Sequence, residues 1–214
     1  MFSRNFGEIL DKSIHAKTNA MSIIRNKILN KLYIPFKEKR LWSFCCHRFD
    51  KKLGGEHGPA HWRRVAVFGE ILSRMDPSVD PMVVRAFACL HDVCRRDNGN
   101  DLAHGARAAR LVQEIRKTYL SYLNDEQVSA LQTACSVHTV ARTGDSPTIN
   151  ACLDADRMDL LRCGIMPDGG RMASENGAKI VGKDGFETMW GRVDYAYNRA
   201  SSMDDVLRFV FMSK

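Results

Sequence analysis

The apolar positions of this chain recur mostly at intervals of three and four, the spacing that lines one face of a helix. Phe6, Ile9, Leu10, Ile14, Met21, Ile24, Ile28 and Leu32 form such a series, ending near Pro35, and predict one or two amphipathic helices over 6–34. The segment "KKLGGEHGP" (51–59) reads as a loop, and Pro59 suits the first turn of a helix running to about Met75. Asp80 can cap a helix that has Pro81 in its first turn and extends to about Arg95. After the turn "RDNGND", Asp101 is the expected cap of a helix from Leu102 to about Leu123, and Asn124 that of the next, through His138. A shorter helix is expected around 149–163. Six glycines and one proline then gather over 164–185, which predicts an irregular, flap-like stretch. Helices near 186–200 and 203–212 close the chain. No alternating strand pattern of useful length and no repeat is present, so the expected fold class is all-α.

With 214 residues the chain can bury one real core with extensions. A composition 44% hydrophobic and 27% charged fits a globular domain. No apolar run approaches the ~20 residues of a membrane span. The start, "MFSRNFGEILDK", lacks the apolar block and cleavage site of a secretory signal, so a cytoplasmic protein is expected. The seven cysteines contain no CxxC pair and lie mostly in apolar, helix-like segments, which suits reduced thiols. Cys45, Cys46 and His47 lack a partner set with zinc-finger spacing.

The charge is unevenly spread. Residues 1–40 hold nine Lys/Arg against three Asp/Glu, whereas the other 174 hold 23 against 22. The pI of about 9.1 therefore belongs to an amino-terminal arm. Such an arm suits nucleic acid, an anionic surface or an acidic partner, or is simply a solvated helical extension with a basic outer face. The expected organisation is a basic amphipathic extension over 1–50, a helical bundle over 51–200 and a terminal helix or tail over 201–214.

Four histidines interrupt apolar stripes. His61 lines up with Val65, Phe68 and Leu72, and His91 with Val84, Phe87 and Cys94. His104 lines up with Ala108, Leu111 and Ile115, and His138 with Val128, Leu131 and Cys135. Asp92 adjoins His91, and Asp156 shares a face with Leu153 and Leu160, with Asp154 and Asp159 as competitors for the same role. One imidazole on an apolar face is ordinarily a satisfied core histidine. A buried carboxylate costs several kcal/mol unless paired, and Arg95, Arg96 and Arg157 are candidate partners. A divalent cation accounts for all of these groups together, because neutral imidazole and carboxylate are both suitable ligands.

The stretches "HWRRV" (61–65), "LHDVCRRDNG" (90–99) and "LDADRMDLL" (153–161) resemble the HD-domain superfamily of metal-dependent phosphohydrolases. "HGPAHWRRV", "HGARAA" and "LDADRMDL" are similar to a bacterial subgroup of it, and the likeness spans about 55–165. The resemblance implies an HD-domain helical bundle in which His61, His91, Asp92 and Asp156 hold a metal. Asp156 is singled out by its place at the head of "DRMD". His104 and His138 match the two added ligands of branches that hold a second ion, with Asp92 as the bridge. One or two divalent ions (Mn, Fe, Ni, Co, Zn or Mg) would then activate hydroxide to cleave a phosphate ester of a nucleotide or related small molecule.

Phosphate charge must be neutralised in such a reaction, and arginines near the ligands in sequence are the candidates. Arg95 and Arg96 are assigned to catalysis and Arg64, Arg107 and Arg142 to phosphate binding, with surface ion pairs as the competing account of each. His57 is a candidate outer-shell acid or a plain loop histidine. Two other activities stay open at this point: a nucleotide-binding regulatory module with little turnover, and a di-iron oxygenase of the HD type.

Overall fold

Proline- or polar-capped starts set out five of the helices of the chain. The computed structural model describes residues 38–197 and 203–212, so the helices predicted over 6–34 lie outside the described residues. Helix α1 (Lys39–Arg48) buries Leu41 and Cys45 completely and sets Trp42 edge-on to Trp62 at 5.8 Å. The chain from residue 38 onward is thus part of the bundle and not of an appended arm, and Glu38 ties it down by accepting from Arg85 Nε at 2.7 Å.

Pro59 opens α2 (Pro59–Met75), whose buried face runs from His61 through Val65 and Phe68 to Leu72. Each such apolar side chain removed from water contributes roughly 1.5–3 kcal/mol. Helix α3 (Pro81–Leu90) starts under the Asp80 carboxylate, which accepts from the backbone N–H of Met82 and Val83. Helix α4 (His104–Tyr119) pairs with α5 (Asp125–Val137), which opens with a reciprocal capping box between Asn124 and Gln127. Ser146 caps α6 (Pro147–Met158). Helix α2 packs against both α3 and α6, while α7 (Glu175–Val181), α8 (Phe186–Tyr197) and α9 (Met203–Met212) follow on. Among the described residues there is no strand, no helix is long and apolar enough to cross a membrane, and all seven cysteines are free.

Three boundaries differ from expectation, each for a tertiary reason. Helix α3 stops at Leu90 instead of Arg95, because Arg95 N turns back to Asp92 O and closes a tight turn over 91–95. Helix α4 starts at His104 without a side-chain cap; the Asp101 carboxylate is drawn instead to Arg96 N and the Arg107 guanidinium. The glycine-rich 164–185 segment is built around α7 and a 3-10 turn at Gly169–Arg171. The buried Asp154 carboxylate accepts from Ala173 N, Ser174 N and Ser174 Oγ, which fixes the start of α7. A Cβ on Gly177 would sit 2.3 Å from Asp154 Oδ2, so that glycine permits close approach.

Candidate metal centre

His61 enters the core from the first turn of α2, His91 and Asp92 from the turn that ends α3, His104 from the start of α4 and His138 from the end of α5. Asp156 comes from the last turn of α6. Five elements therefore deliver all six expected ligands to one place. His61 Nε2 lies 2.9 Å from His91 Nε2 and 3.3 Å from Asp156 Oδ1. His104 Nε2 lies 2.8 Å from His138 Nε2. Asp92 stands between the two groups. Its Oδ2 is 3.6 and 3.7 Å from His61 and His91 Nε2, and its Oδ1 is 3.0 and 3.7 Å from His104 and His138 Nε2.

The opposite ring nitrogens decide the tautomers. His61 Nδ1 meets Asp159 Oδ2 at 2.7 Å, and His91 Nδ1 meets Phe87 O at 3.1 Å. His104 and His138 Nδ1 meet the carbonyl oxygens of Asp101 and Cys135. A carbonyl or a carboxylate can only accept, so each Nδ1 carries the hydrogen and each Nε2 presents a lone pair. Two lone pairs at 2.8–2.9 Å repel unless a proton or a cation lies near them. Ligands bound at the usual 2.0–2.1 Å stand roughly 3 Å apart in an octahedral set and roughly 3.3 Å apart in a tetrahedral one. The two imidazole pairs, His61 with Asp156, and His104 with Asp92 match these spacings, while Asp92 stands slightly farther from the other three imidazoles. His61, His91 and Asp92 form one group that could hold a divalent cation, and Asp92, His104 and His138 the other.

Electrostatics points the same way. Burial pushes the carboxyl of Asp92 up, but His91, His104, His138 and His57 outweigh it and hold the group ionised, well below the usual range. Asp156 is likewise depressed, chiefly by His61 and His91. Burial pushes His91 down to about 3, keeping it neutral. For His61 and His138 burial is overcome by Asp156 and Asp159 in one case and Asp92 in the other, so both lie above the ordinary histidine value. The buried carboxylates call for positive charge at this point.

The three neighbouring aspartates of "LDADRMDLL" have separate tasks. Asp154 fixes α7, Asp156 faces the centre, and Asp159 backs His61. Asp159 also accepts from Arg64 Nε at 2.6 Å and from the Trp190 indole of α8 at 2.7 Å. This settles the position of Arg64, which was expected to bind phosphate. Its guanidinium supports Asp159 and lies over the Trp190 ring, 5.2 Å from the centroid, instead of lining the cleft. His57 is buried behind Asp92, its Nδ1 2.9 Å from Oδ2, and orients that carboxylate.

A cleft of about 580 Å³ opens over the centre, with Asp92, His104, His138 and Asp156 on its floor. Of the five arginines expected to act on phosphate, Arg95 and Arg142 line the cleft. Arg96 and Arg107 lie instead on an adjoining groove, where Arg107 is held by Cys94 O and Asp101. Three further arginines complete the cleft wall: Arg157, Arg162 and Arg171. Arg162 approaches Asp156 Oδ1 to 4.0 Å while its Nε donates to Glu56 O. Arg157 and Arg162 follow Asp156 by one and six residues, and nearness to that ligand was the available signal. Trp190 gave none, being 31 residues from the aspartate it serves. No family model, curated protein or solved structure matches the chain.

Proposed function

We propose that this protein is a metal-dependent phosphohydrolase of the HD-domain type, acting on a phosphate ester of a nucleotide or related small molecule. One observation carries the reading: a single carboxylate, Asp92, is shared by two imidazole pairs on the floor of a cleft walled by arginines. His61, His91, Asp92 and Asp156 would hold one divalent cation, and Asp92, His104 and His138 a second. When bound, such cations supply Lewis acidity toward water and toward a phosphoryl oxygen. The imidazole-rich donor set suits Fe, Co, Ni or Zn, and with its carboxylates Mn, better than Mg.

The chain's own groups account for the rest. Asp159 holds His61 in the tautomer that presents Nε2, and His57 fixes the rotamer of Asp92. Arg95, Arg142 and Arg162 place positive charge around the floor, where a phosphoryl group gathers charge as it is transferred. Their guanidinium groups are anchored on backbone carbonyls of Gly99, Gly170 and Glu56, so little reorganisation is needed. Thr139 lines the same cleft, and its buried Oγ1 has no hydrogen-bond partner among the described residues.

The test is elemental analysis of the purified protein with a phosphoester panel in manganese, cobalt, nickel and magnesium. The His91→Ala/Asp92→Ala variant should lose bound metal and, if several kcal/mol of charge stabilisation go with it, about 10³-fold or more of activity. Full phosphatase activity in that variant sinks the assignment. So does tight nucleotide binding without turnover in every metal, or an iron centre that consumes oxygen.

A further inference from the structure

We infer that the substrate bears at least two phosphate groups, and that the groove of Arg48, Arg96, Arg107 and Arg110 holds the one that is not cleaved. This rests on the phosphohydrolase reading for the word substrate; as a statement about ligand binding it stands alone. The groove, of about 410 Å³, collects arginines from three elements: the end of α1, the turn after α3 and the outer face of α4. Arg107 is fixed by Cys94 O and Asp101. The other three are exposed, and none of their guanidinium groups has a partner among the described residues.

Several arginines elsewhere are paired with acids: Arg64 with Asp159, Arg74 with Glu70 and Asp204, Arg85 with Glu38 and Glu70. The only acid lining the groove, Glu114, makes no ion pair with Arg110 one turn away. Clustered like charges repel; Asp101 compensates Arg107, while Arg48, Arg96 and Arg110 have no acidic partner among the described residues, so the groove is suited to an anion from outside.

Two observations narrow the anion. First, Arg95 lines both the groove and the metal cleft, and its guanidinium is held by Gly99 O at 2.8 Å and lies 3.8 Å from Asp92 Oδ1. That fixed cation is a wall common to both spaces, and a ligand reaching past it would engage both. Second, among the described residues neither space is lined by Phe, Tyr or Trp. A strand of nucleic acid held without sequence readout ordinarily stacks its bases on aromatic rings. The arginine-rich lining suits phosphate and lacks the row of Phe, Tyr or Trp rings that a strand of bases stacks on, which favours a small, multiply phosphorylated molecule.

The test uses phosphonates, whose P–C bonds resist hydrolysis. The full-length, metal-loaded protein is titrated by calorimetry with alkane bisphosphonates of increasing length and with matching monophosphonates. A bisphosphonate should bind about tenfold or more tightly than its monophosphonate, the worth of roughly one charge-assisted hydrogen bond. The Arg48→Gln/Arg110→Gln variant should lose that advantage while its monophosphonate affinity serves as reference. No advantage at any length overturns the inference, as does one that survives in the variant. Preferential binding of a short oligothymidylate through the same two arginines also overturns it, in favour of nucleic acid. Hydrolysis of monoesters without a bisphosphonate advantage defeats this inference and leaves the phosphohydrolase; the advantage without hydrolysis of any ester does the reverse.

Discussion

The two donor groups that share Asp92 use the same atoms and are supported differently. Around His61 the backing is a side-chain network, in which Asp159 is gripped by Arg64 from α2 and by Trp190 from α8. Around His104 and His138 the backing is main chain, the carbonyl oxygens of Asp101 and Cys135 at helix ends. His61 and His91 are wholly buried, while Asp156 of the same group lies on the cleft floor beside His104 and His138. A carboxylate behind an imidazole raises its basicity as well as fixing its orientation, whereas a carbonyl mainly fixes orientation. On the proposed reading, the group around His61 would retain a cation more firmly, and the group around His138 would present one to a ligand.

The largest expected effect follows from removing the charge behind His61. Asp159→Asn should weaken one metal equivalent by about 10–100-fold and leave the other unchanged, read by titration with a chelator. Equal loss of both equivalents would show that the groups do not differ. The next effect addresses the other side. A Cβ on Gly105 would lie 2.4 Å from Cys135 O and 3.2 Å from His138 Nδ1, so Gly105→Ala must part α4 from α5. It should cost about 1–3 kcal/mol in denaturant unfolding and loosen the His104–His138 equivalent first. An unchanged midpoint would refute the close approach.

The smallest effect is common to both groups. His61 and His138 titrate above the ordinary histidine value, so the metal-free fold holds protons that the unfolded chain has already released near neutrality. That stabilisation is complete below a pH of about 6.5 and is lost as pH rises through the raised values. A cation must displace the same protons, so its affinity rises over the same window, by at most about tenfold per pH unit for each proton released. Calorimetry in buffers of different ionisation heat measures the release; metal binding without it would contradict the assignment.

How much of this was legible in the sequence depends on how local the physics is. Helix starts were legible where a cap or a proline acts within one turn, as at Pro59, Asp80 and Asn124. Helix α3 ends early because Asp92 is needed in a turn, and α7 exists because Asp154 reaches across from α6. Neither cause lies within the segment it controls. The histidines stood out because each interrupts an apolar stripe. Asp154, Asp156 and Asp159 could not be separated by pattern, since their surroundings are set by α7, the centre and α8 respectively. Arg64 sits one turn from His61, yet the carboxylate that claims it is 95 residues away. Of the basic extension expected over 1–50, residues 1–37 lie outside the described residues.

One contact of α8 gives the molecule an optical gauge. The Trp190 indole and the His61 ring sit on the two oxygens of one carboxylate, so a change of charge at the centre reaches a fluorophore through a single group. The remaining tryptophans, Trp42 and Trp62, form an edge-on pair on the α1 side. Emission from Trp190 should thus report whether a cation binds at the centre without any added dye, so that the chain's last third would signal an event in its middle.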